Sequence, residues 1–473
     1  MTVPRRPHVI VVLTDQQRWD TTGVHGNRAG VTPEFDRLAR EGTLVEHAIT
    51  PNPVCAPARS ALQTGLYPTA TGVFRNGLPL PPDVPTLAGV FDAAGYATGY
   101  IGKWHLAGED GPDGPVAPER RGGYRSWLAS DRLEFTSDAH RTVVHDEDGE
   151  PVRLPGYRSD ALVDAAIRFV ADHHDRPFLL FLSLLEPHHQ NPADDYPAPR
   201  GYRERYEGRW VPPDLAALAP GTPHGGPYRH LGGYLGQIKR VDEGLGRLRD
   251  ALFGLGIEGD TVLAWTADHG SHFRTRNSEY KRSAHEASVR VPFALTGPSF
   301  RGGGLVRQPV STLDLMPTLV DAAGLTVPEG LHGRSLLPLL HGGPDPRRPG
   351  SVLVQISEDH IGRALRTERW KYVVAAARPD ADPWREAAAD HYRETELYDL
   401  AADPYELDNL IGLDSHAFVA DELRAELLGR LAVVEGASPE ITPSPARSVP
   451  QRSPDTLPRS VPWEEVRFGH QRP

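Results

Sequence analysis

Sulfur and long apolar runs are scarce in this chain. Its 473 residues include one cysteine, Cys55, and two methionines. One thiol cannot form an internal disulfide, and no apolar run approaches the roughly 20 residues that a membrane-crossing helix needs. The apolar run His8–Leu13, which follows Arg5 and Arg6, is too short for the core of an export signal. We therefore expect a cytoplasmic chain without a membrane partner.

Excess positive charge is missing as well. Lysine and arginine number 51 against 63 aspartates and glutamates, which gives a formal net charge of -12 at pH 7. Nucleic acids and anionic lipid surfaces are bound mainly through basic surfaces. We therefore expect no nucleic acid as a partner. The oligomeric state is open, and the sequence is compatible with a homo-oligomer.

Four short apolar runs are each followed at once by polar residues of catalytic type. The runs and their followers are His8–Thr14 before Asp15 and Gln16, Tyr96–Gly102 before Lys103 and His105, Phe178–Leu185 before His188 and His189, and Thr261–Thr266 before Asp268 and His269. Such continuous apolar runs are typical of parallel strands covered on both faces. Because ligands bind at the carboxyl ends of these strands, we expect the polar groups to meet at one edge.

Helical periodicity lies between these runs. Ala161–His174 and the stretch 235–252 repeat apolar residues at threes and fours, which is typical of amphipathic helices. The alternation predicts an α/β fold with a large, mostly parallel central sheet flanked by helices. Segments 107–156 and 186–230 are rich in glycine, proline and acids, and we predict long loops there that shape a substrate pocket.

The sequence changes character near residue 345. Ser351–Ile356 and Arg369–Ala375 favour strands of a smaller sheet, and His416–Val434 favours an amphipathic helix. We predict a catalytic domain over 1–345, a smaller C-terminal α+β subdomain over 346–436, and an extended tail rich in proline, arginine and serine over 437–473. Trp463 and Phe468 indicate that this tail docks onto a surface.

Cys55 stands in the run V-C-A-P-A-R-S, with G-L-Y-P shortly after it. An isolated cysteine is usually a small buried apolar residue. Here Pro57 suits a first helical turn and Gly65 is placed to end the helix. The free backbone N–H groups at the start of this helix would face Cys55 and any anion beside it.

The Cys-x-Pro-x-Arg pattern, followed by Thr-Gly-x-Tyr-Pro, resembles the signature of the type I sulfatases of the alkaline phosphatase superfamily. The resemblance implies that Cys55 is converted after synthesis to formylglycine by a formylglycine-generating enzyme. It also implies an alkaline-phosphatase-like α/β sandwich with a smaller C-terminal antiparallel sheet and a helix. Leu397–Leu400 and the segment 403–410 resemble the end segment of the same family.

Two strand-end pairs, Asp15–Gln16 and Asp268–His269, offer metal ligands. Either pair alone is an ordinary turn, but with Cys55 between them they resemble the sulfatase metal site. The resemblance implies one divalent cation held by Asp15, Gln16, Cys55, Asp268 and His269. Many sulfatases carry a carboxylate in place of Gln16 and asparagine in place of His269, so both Ca²⁺ and Mn²⁺ are open. The nitrogen ligand favours manganese or another transition metal.

The remaining catalytic roles are implied by the same resemblance. Lys103 would hold the anion and His105 would be the base of the second step. His188 and Lys281 would bind sulfate oxygens and protonate the leaving alcohol. Arg59 would bind the anion and orient the nucleophile. Taken alone, a lysine or histidine at a strand end is more often a surface or capping residue.

Two further residues, Asn76 and His189, are predicted to bind substrate, although an asparagine beside glycine is often only a turn residue. The implied reaction is hydrolysis of a small-molecule or saccharide sulfate monoester. One hydroxyl of hydrated formylglycine attacks sulfur, and the other expels sulfate by re-forming the aldehyde. The metal ligands also resemble those of phosphonate monoester hydrolases and choline sulfatases. A phosphonate monoester or phosphodiester hydrolase is therefore the alternative, and a non-catalytic anion- or sugar-binding homologue with unconverted Cys55 is the third.

Overall fold

The computed structural model describes residues 6–108, 114–190, 193–218, 228–341 and 348–452. Its strands are β1 (His8–Thr14), β2 (Thr43–Val45), β3 (Ala48–Ile49), β4 (Ala97–Lys103), β5 (Ser126–Ser130), β6 (Thr142–His145), β7 (Pro151–Leu154), β8 (Phe178–Ser183), β9 (Thr261–Ala267), β10 (Arg290–Val291), β11 (Phe293–Thr296), β12 (Gly304–Val306), β13 (Val310–Ser311), β14 (Val352–Ile356), β15 (Gly362–Arg366), β16 (Trp370–Ala376), β17 (His391–Asp399), β18 (Asp408–Asn409), β19 (Glu440–Thr442) and β20 (Gln451–Arg452).

The helices alternate with the strands over the first two thirds of the chain. They are α1 (Pro33–Glu41), α2 (Cys55–Thr64), α3 (Pro68–Thr71), α4 (Leu87–Ala93), α5 (Leu133–Thr136), α6 (Arg158–His173), α7 (Tyr202–Tyr206), α8 (Pro213–Leu218), α9 (Tyr228–Gly254), α10 (Glu286–Val289), α11 (Leu315–Ala322), α12 (Leu337–His341) and α13 (Ala417–Val434). None of these described helices has both the length and the apolar character that crossing a bilayer requires.

The large sheet follows the order β12-β2-β11-β9-β1-β8-β4-β5-β6-β7. Its centre, from β9 to β5, is parallel. Antiparallel pairs lie on both sides of this centre, at β11 and at β6 and β7. The predicted α/β fold with a large, mostly parallel sheet is confirmed.

Both faces of this sheet are covered. In β1, Val9, Val11 and Leu13 point into one apolar cluster, and Ile10 and Val12 point into the other. The first cluster includes residues of α2, α4 and α11, and the second includes residues of α1, α6 and α9. Successive strand residues point to opposite faces, so a strand between two helical layers is apolar at every position. This explains why the four apolar runs coincide with β1, β4, β8 and β9 to within two residues.

The loop predicted over 107–156 is wrong in part, because this segment contains β5, β6, β7 and α5. Strand β7 is short and mostly exposed at the sheet edge, so it has no continuous apolar run to reveal it. Segment 186–230 likewise contains the short helices α7 and α8. Both segments therefore carry regular structure that their composition conceals.

The smaller sheet follows the order β14-β15-β16-β17-β19 and is antiparallel except for β19, which joins β17 in parallel. Leu423, Leu427 and Leu431 of α13 pack against it, and Ala61 and Tyr67 of the N-terminal part enter the same cluster. Residues 437–452 run in extended form, with β20 paired to β18. Trp463 and Phe468 lie outside the described residues.

Candidate active site

The predicted strand-end groups lie at one edge of the large sheet. Strands β9, β1, β8 and β4 are parallel neighbours, so the residues that follow them are adjacent in space. Helix α2 starts at the same edge. The structure gathers these predicted residues into one site: Asp15, Gln16, Cys55, Arg59, Asn76, Lys103, His105, His188, His189, Asp268, His269 and Lys281.

Cys55 is the first residue of α2 and is 2% exposed. Its Sγ lies 2.9 Å from Lys281 Nζ, 3.3 Å from His269 Nε2 and 3.7 Å from Lys103 Nζ. Burial raises the pKa of this thiol, but the positive charges of Lys103 and Lys281 lower the pKa by a larger amount. The pKa of Cys55 is therefore well below its usual value. A hydrogen bond from His105 adds to this lowering. The surroundings of residue 55 therefore stabilise negative charge.

The start of α2 is fixed by Asn76. Its Oδ1 accepts a hydrogen bond from Ala56 N at 3.0 Å, which satisfies one of the free N–H groups of the first turn. Gly65 ends the helix with φ of 68°, a left-handed conformation that glycine adopts easily. Asn76 also lines the cavity above Cys55, but its oxygen is engaged with the helix. Its role in substrate binding stays a prediction.

Arg59 faces the carboxylates of the site. Its Nη2 lies 3.0 Å from both Asp15 Oδ2 and Asp268 Oδ2, and its Nε donates to Asp268 Oδ2 at 3.1 Å. Its Nη1 donates to Lys103 O at 2.8 Å and Ser183 Oγ at 2.7 Å. With both ends of the guanidinium engaged in this way, Arg59 holds the two aspartates together. The predicted role of Arg59 in binding the anion and orienting the nucleophile stays a prediction.

Asp15, Cys55, Asp268 and His269 bring their ligand atoms within 4.8 Å of one another. His269 Nδ1 is 3.0 Å from the Gly270 carbonyl, which can only accept, so Nδ1 carries the proton and Nε2 presents its lone pair. Burial raises the pKa of Asp15, but Lys103 and Arg59 outweigh it and hold the pKa well below its usual value. Two carboxylates and a correctly oriented imidazole fit a divalent cation.

Gln16 lies beside this set with φ of 68°. Its backbone N donates to Asp268 Oδ1 at 3.2 Å, and its Oε1 accepts from His189 N at 3.1 Å. Tyr234 Oη donates to the Gln16 carbonyl at 2.8 Å, which fixes this turn. Gln16 is thus placed next to the two aspartates, and its role as a metal ligand stays a prediction.

Lys103 and His105 share a neighbour that the sequence did not reveal. Lys103 Nζ lies 2.8 Å from Asp15 Oδ2 and 3.0 Å from Glu134 Oε1. His105 Nδ1 is 3.9 Å from the same oxygen of Glu134. Glu134 lies in a segment without periodicity or recognisable spacing, and only the pairing of β4 with β5 brings it to the site. Its carboxylate is a functional candidate that sequence reasoning missed.

His188 and Lys281 lie together, with 3.4 Å between His188 Nε2 and Lys281 Nζ. Burial lowers the pKa of His188, which favours the neutral imidazole. His189 instead hydrogen bonds to Asp194 Oδ1 at 3.0 Å and stacks on Tyr280. Lys281 also contacts His269 Nε2 at 2.9 Å, so a cation bound at that nitrogen requires Lys281 Nζ to move toward the cavity.

The cavity above Cys55 opens past aromatic side chains. Phe135 of α5 lines it and is 42% exposed. Trp384 lines it as well and belongs to the connection between β16 and β17, in the smaller sheet. Glu279 and Arg282, which form an ion pair at 2.9 Å, complete the outer wall. Residues from both sheets therefore surround the entrance.

Comparison with known families decides the assignment. The profile described as Sulfatase matches residues 7–325. The chain belongs to the sulfatase family. A second profile, described as N-sulphoglucosamine sulphohydrolase, C-terminal, matches residues 278–432. With this fold and site, the sulfatase is a member of the alkaline phosphatase superfamily and an enzyme that hydrolyses sulfuric esters.

Individual relatives are similar over most of the sulfatase. The ulvan-active sulfatase of Formosa agariphila is 31% identical, over 91% of this chain and 82% of that protein. The N-acetylglucosamine-6-O-sulfatase of Bacteroides thetaiotaomicron is 24% identical, over 89% and 85%. The solved yidJ structure of Bacteroides fragilis has a TM-score of 0.76 at 25% identity, covering 92% of this chain and 97% of that one. Phosphonate monoester hydrolases also share the fold.

Proposed function

We propose that the sulfatase works through a formylglycine formed from Cys55 and cleaves a saccharide sulfate ester. The observation that carries this proposal is the position of residue 55, with Lys103 and Lys281 both within 3.7 Å of its Sγ. Two ammonium groups at one side chain suit an anionic sulfuryl group that binds there. Formation of formylglycine requires a formylglycine-generating enzyme as a partner.

Once formed, the hydrated aldehyde at residue 55 supplies the hydroxyl that attacks sulfur, and a cation held by Asp15, Asp268 and His269 would make that hydroxyl more acidic. Lys103 and Lys281 neutralise the sulfuryl oxygens. Lys281 Nζ, held 3.4 Å from His188 Nε2, donates the proton that the leaving alcohol oxygen needs. His105 accepts a proton when sulfate is released. Arg59 acts indirectly, because it fixes Asp15 and Asp268.

The candidate ligands favour Mn²⁺ over Ca²⁺ as the bound metal. Asp15 and Asp268 supply oxygen atoms, and His269 supplies a nitrogen with its lone pair directed at the site, as the hydrogen bond to Gly270 indicates. Imidazole nitrogen suits transition metals better than it suits calcium, which prefers oxygen ligands alone. Gln16 would complete the set.

For the substrate, two observations favour a ring-shaped alcohol over a small one. Phe135 and Trp384 expose aromatic surface at the cavity entrance, where the alcohol part of the ester must lie. The relative from Bacteroides thetaiotaomicron is an N-acetylglucosamine-6-O-sulfatase. Because the apolar face of a sugar ring packs well on aromatic side chains, a saccharide sulfate fits this entrance.

The proposed function predicts a modified Cys55 peptide. Protein produced with a formylglycine-generating enzyme should give a peptide about 18 Da lighter than the thiol form, because sulfur and two hydrogens are replaced by one oxygen. The same preparation should release nitrophenol from 4-nitrophenyl sulfate faster than from a 4-nitrophenyl phosphonate ester. Cys55→Ser, expressed in the same way, is the matched control and should show neither the mass change nor turnover.

Two results would contradict the proposal. An unmodified thiol in active enzyme would exclude formylglycine as the nucleophile. Faster cleavage of the phosphonate ester would favour the phosphonate monoester hydrolase alternative.

A further inference from the structure

Glu134 reaches the active site through the pairing of β4 with β5. Lys103, the last residue of β4, is opposite Ser130. The pairing continues beyond the strands, since Trp104 N donates to Ser130 O at 2.9 Å and His105 N donates to Asp131 O at 2.8 Å. Helix α5 begins two residues later. This connection places the Glu134 carboxylate, 3% exposed, beside the side chains of Lys103 and His105.

Two atoms at this contact have no hydrogen-bond partner among the described residues. They are Glu134 Oε2 and His105 Nδ1, and both are buried. A buried polar atom without a partner destabilises the fold, so such atoms usually mark a contact that is made in another state of the site. Nδ1 lies 3.9 Å from Glu134 Oε1, so a small rotation of either side chain would bring the carboxylate within hydrogen-bond distance. Catalytic hydrogen bonds are often long before substrate binds.

The other nitrogen of the imidazole is available to the nucleophile. His105 and Cys55 line the same cavity, and with Nδ1 beside Glu134 the nitrogen left for residue 55 is Nε2. The nearby carboxylate of Asp131 accepts hydrogen bonds from the backbone N–H groups of Ala107, at 2.9 Å, and Leu106, whereas Glu134 Oε2 has no partner among the described residues. Glu134 is therefore the available carboxylate behind His105. Residue 55, His105 and Glu134 would thus act in the order nucleophile, base, carboxylate.

We propose that Glu134 is a positioning residue that orients His105 for the release of sulfate. The inference rests on the proposed function. In that step, the free hydroxyl on the carbon of residue 55 gives its proton to His105 Nε2. The bond from that carbon to the sulfate oxygen breaks, sulfate leaves with the bonding electrons, and the C=O bond of the aldehyde forms. Glu134 holds the Nδ1 proton and stabilises the imidazolium, while its other contact keeps Lys103 in place.

The variant Glu134→Gln distinguishes the contact of residue 134 with His105 from its contact with Lys103. A glutamine still offers an oxygen to Lys103 but carries no charge for the imidazolium. We expect kcat for 4-nitrophenyl sulfate to fall about 10- to 100-fold. KM should fall by a similar factor, so that kcat/KM, which reports only the steps up to alcohol release, stays within about threefold. A rapid burst of nitrophenol, close to one per active site, should precede the slow steady state.

Glu134→Ala removes the support of Lys103 as well, so kcat/KM should fall together with kcat. Glu150→Gln, an exposed carboxylate on the same stretch of chain, is the matched control and should leave both constants unchanged. If Glu134→Gln lowers kcat/KM as much as kcat and gives no burst, the residue only supports the fold or the anion site, and the proposal is wrong. Absence of turnover in the unmutated, converted enzyme would instead contradict the proposed function.

A second measurement tests the orientation of His105 in the unmutated enzyme. Two-bond ¹H–¹⁵N spectra of histidine-labelled enzyme distinguish the two neutral tautomers of imidazole, and His105→Gln assigns the signal. We expect the proton of His105 on Nδ1 in the unmutated enzyme, with a shift toward the other tautomer in Glu134→Gln. A proton on Nε2 in the unmutated enzyme would overturn the assignment of Glu134.

Discussion

Arg59 determines how closely two buried carboxylates can lie at the metal site. Asp15 and Asp268 are both fully buried, and the guanidinium lies within 3.0 Å of an oxygen of each. Removing one partner of such a buried pair leaves an uncompensated charge, which typically costs 3–5 kcal/mol. A cation at the same site would neutralise part of that charge. Arg59 and the metal are therefore expected to stabilise the same two aspartates.

Arg59→Met should thus lower the free energy of unfolding by about 3–5 kcal/mol in protein treated with a chelator. Added Mn²⁺ should recover part of this loss, because the ion replaces the missing positive charge. Urea unfolding with and without the metal measures both effects. Arg141→Met, at an exposed ion pair, should change stability by less than about 1 kcal/mol. Equal stability of Arg59→Met and the unmutated protein would contradict this role.

Single residues also show which parts of the site could be predicted from the sequence and which could not. Cys55, Lys103 and Asp268 stand in recognisable patterns, and the structure brings them together. The position of Arg59 against two aspartates could not be read in advance, because Asp15 and Asp268 come from strands far from it in sequence. Glu134 was missed for a similar reason, since a carboxylate in a non-periodic segment carries no signal of its own.

Among the secondary-structure elements, α9 supplies the cap of α1. The carboxylate of Asp242 accepts hydrogen bonds from Glu34 N at 3.1 Å and Phe35 N at 2.8 Å, in the first turn of α1. Burial raises the pKa of Asp242 to about 7, although these two hydrogen bonds lower it. The folded state therefore binds a proton more tightly than the unfolded chain, in which the pKa of an aspartate is near its ordinary value of 3.8.

This raised pKa predicts a loss of stability as pH rises from about 4 to 7. The protonated carboxyl stabilises the fold below pH 4, and the contribution is lost as the pH passes the folded pKa. At roughly 1.4 kcal/mol per unit, the full effect is about 4 kcal/mol. The side chain in Asp242→Asn does not titrate. As the pH rises from about 4 to 7, the free energy of unfolding of this variant should therefore increase relative to that of the unmutated protein. Urea unfolding at pH 5 and pH 8 tests this, and a pH-independent difference would refute it.

The elements differ in how well composition reveals them. Strands β1, β4, β8 and β9 are buried on both faces, and their continuous apolar runs identify them. Strand β7 lies at the sheet edge and is mostly exposed, and a short half-exposed strand resembles a loop in sequence. Strand β6 is short as well, and its pairing with β5 and β7 is encoded by no local pattern. The edge of the sheet was therefore the least predictable part of the fold.

Across the whole molecule, the two sheets are joined by a buried charge cluster. Glu286, the first residue of α10, lies 2.7 Å from Lys371 Nζ in β16 and 3.1 Å from Arg366 Nη2 in β15. Lys371 also contacts Glu406 at 2.8 Å. All four side chains are at most 4% exposed. This cluster links residues on both sides of the proposed boundary near 345. We therefore expect the two parts of the chain to unfold cooperatively.

Calorimetry should therefore show a single unfolding transition for the whole chain. Lys371→Met leaves Glu286 and Glu406 without this cation and should cost about 3–5 kcal/mol, seen as one transition at lower temperature. Arg369→Ala removes an exposed ion pair with Asp399 on the same hairpin and should cost less than about 1 kcal/mol. Two separate transitions would indicate that the parts before and after residue 345 unfold independently.

The connection between β16 and β17 carries Trp384 from the smaller sheet to the entrance of a cavity whose chemical groups lie mainly on the larger one. Trp384 therefore lies on a different stretch of chain from the groups proposed to cleave the ester bond. Variation in 377–390 can change which alcohols are accepted without disturbing residue 55 or its charged neighbours. This short connection is accordingly the place where exchange between related enzymes, or directed evolution, would alter substrate range at the least cost to turnover.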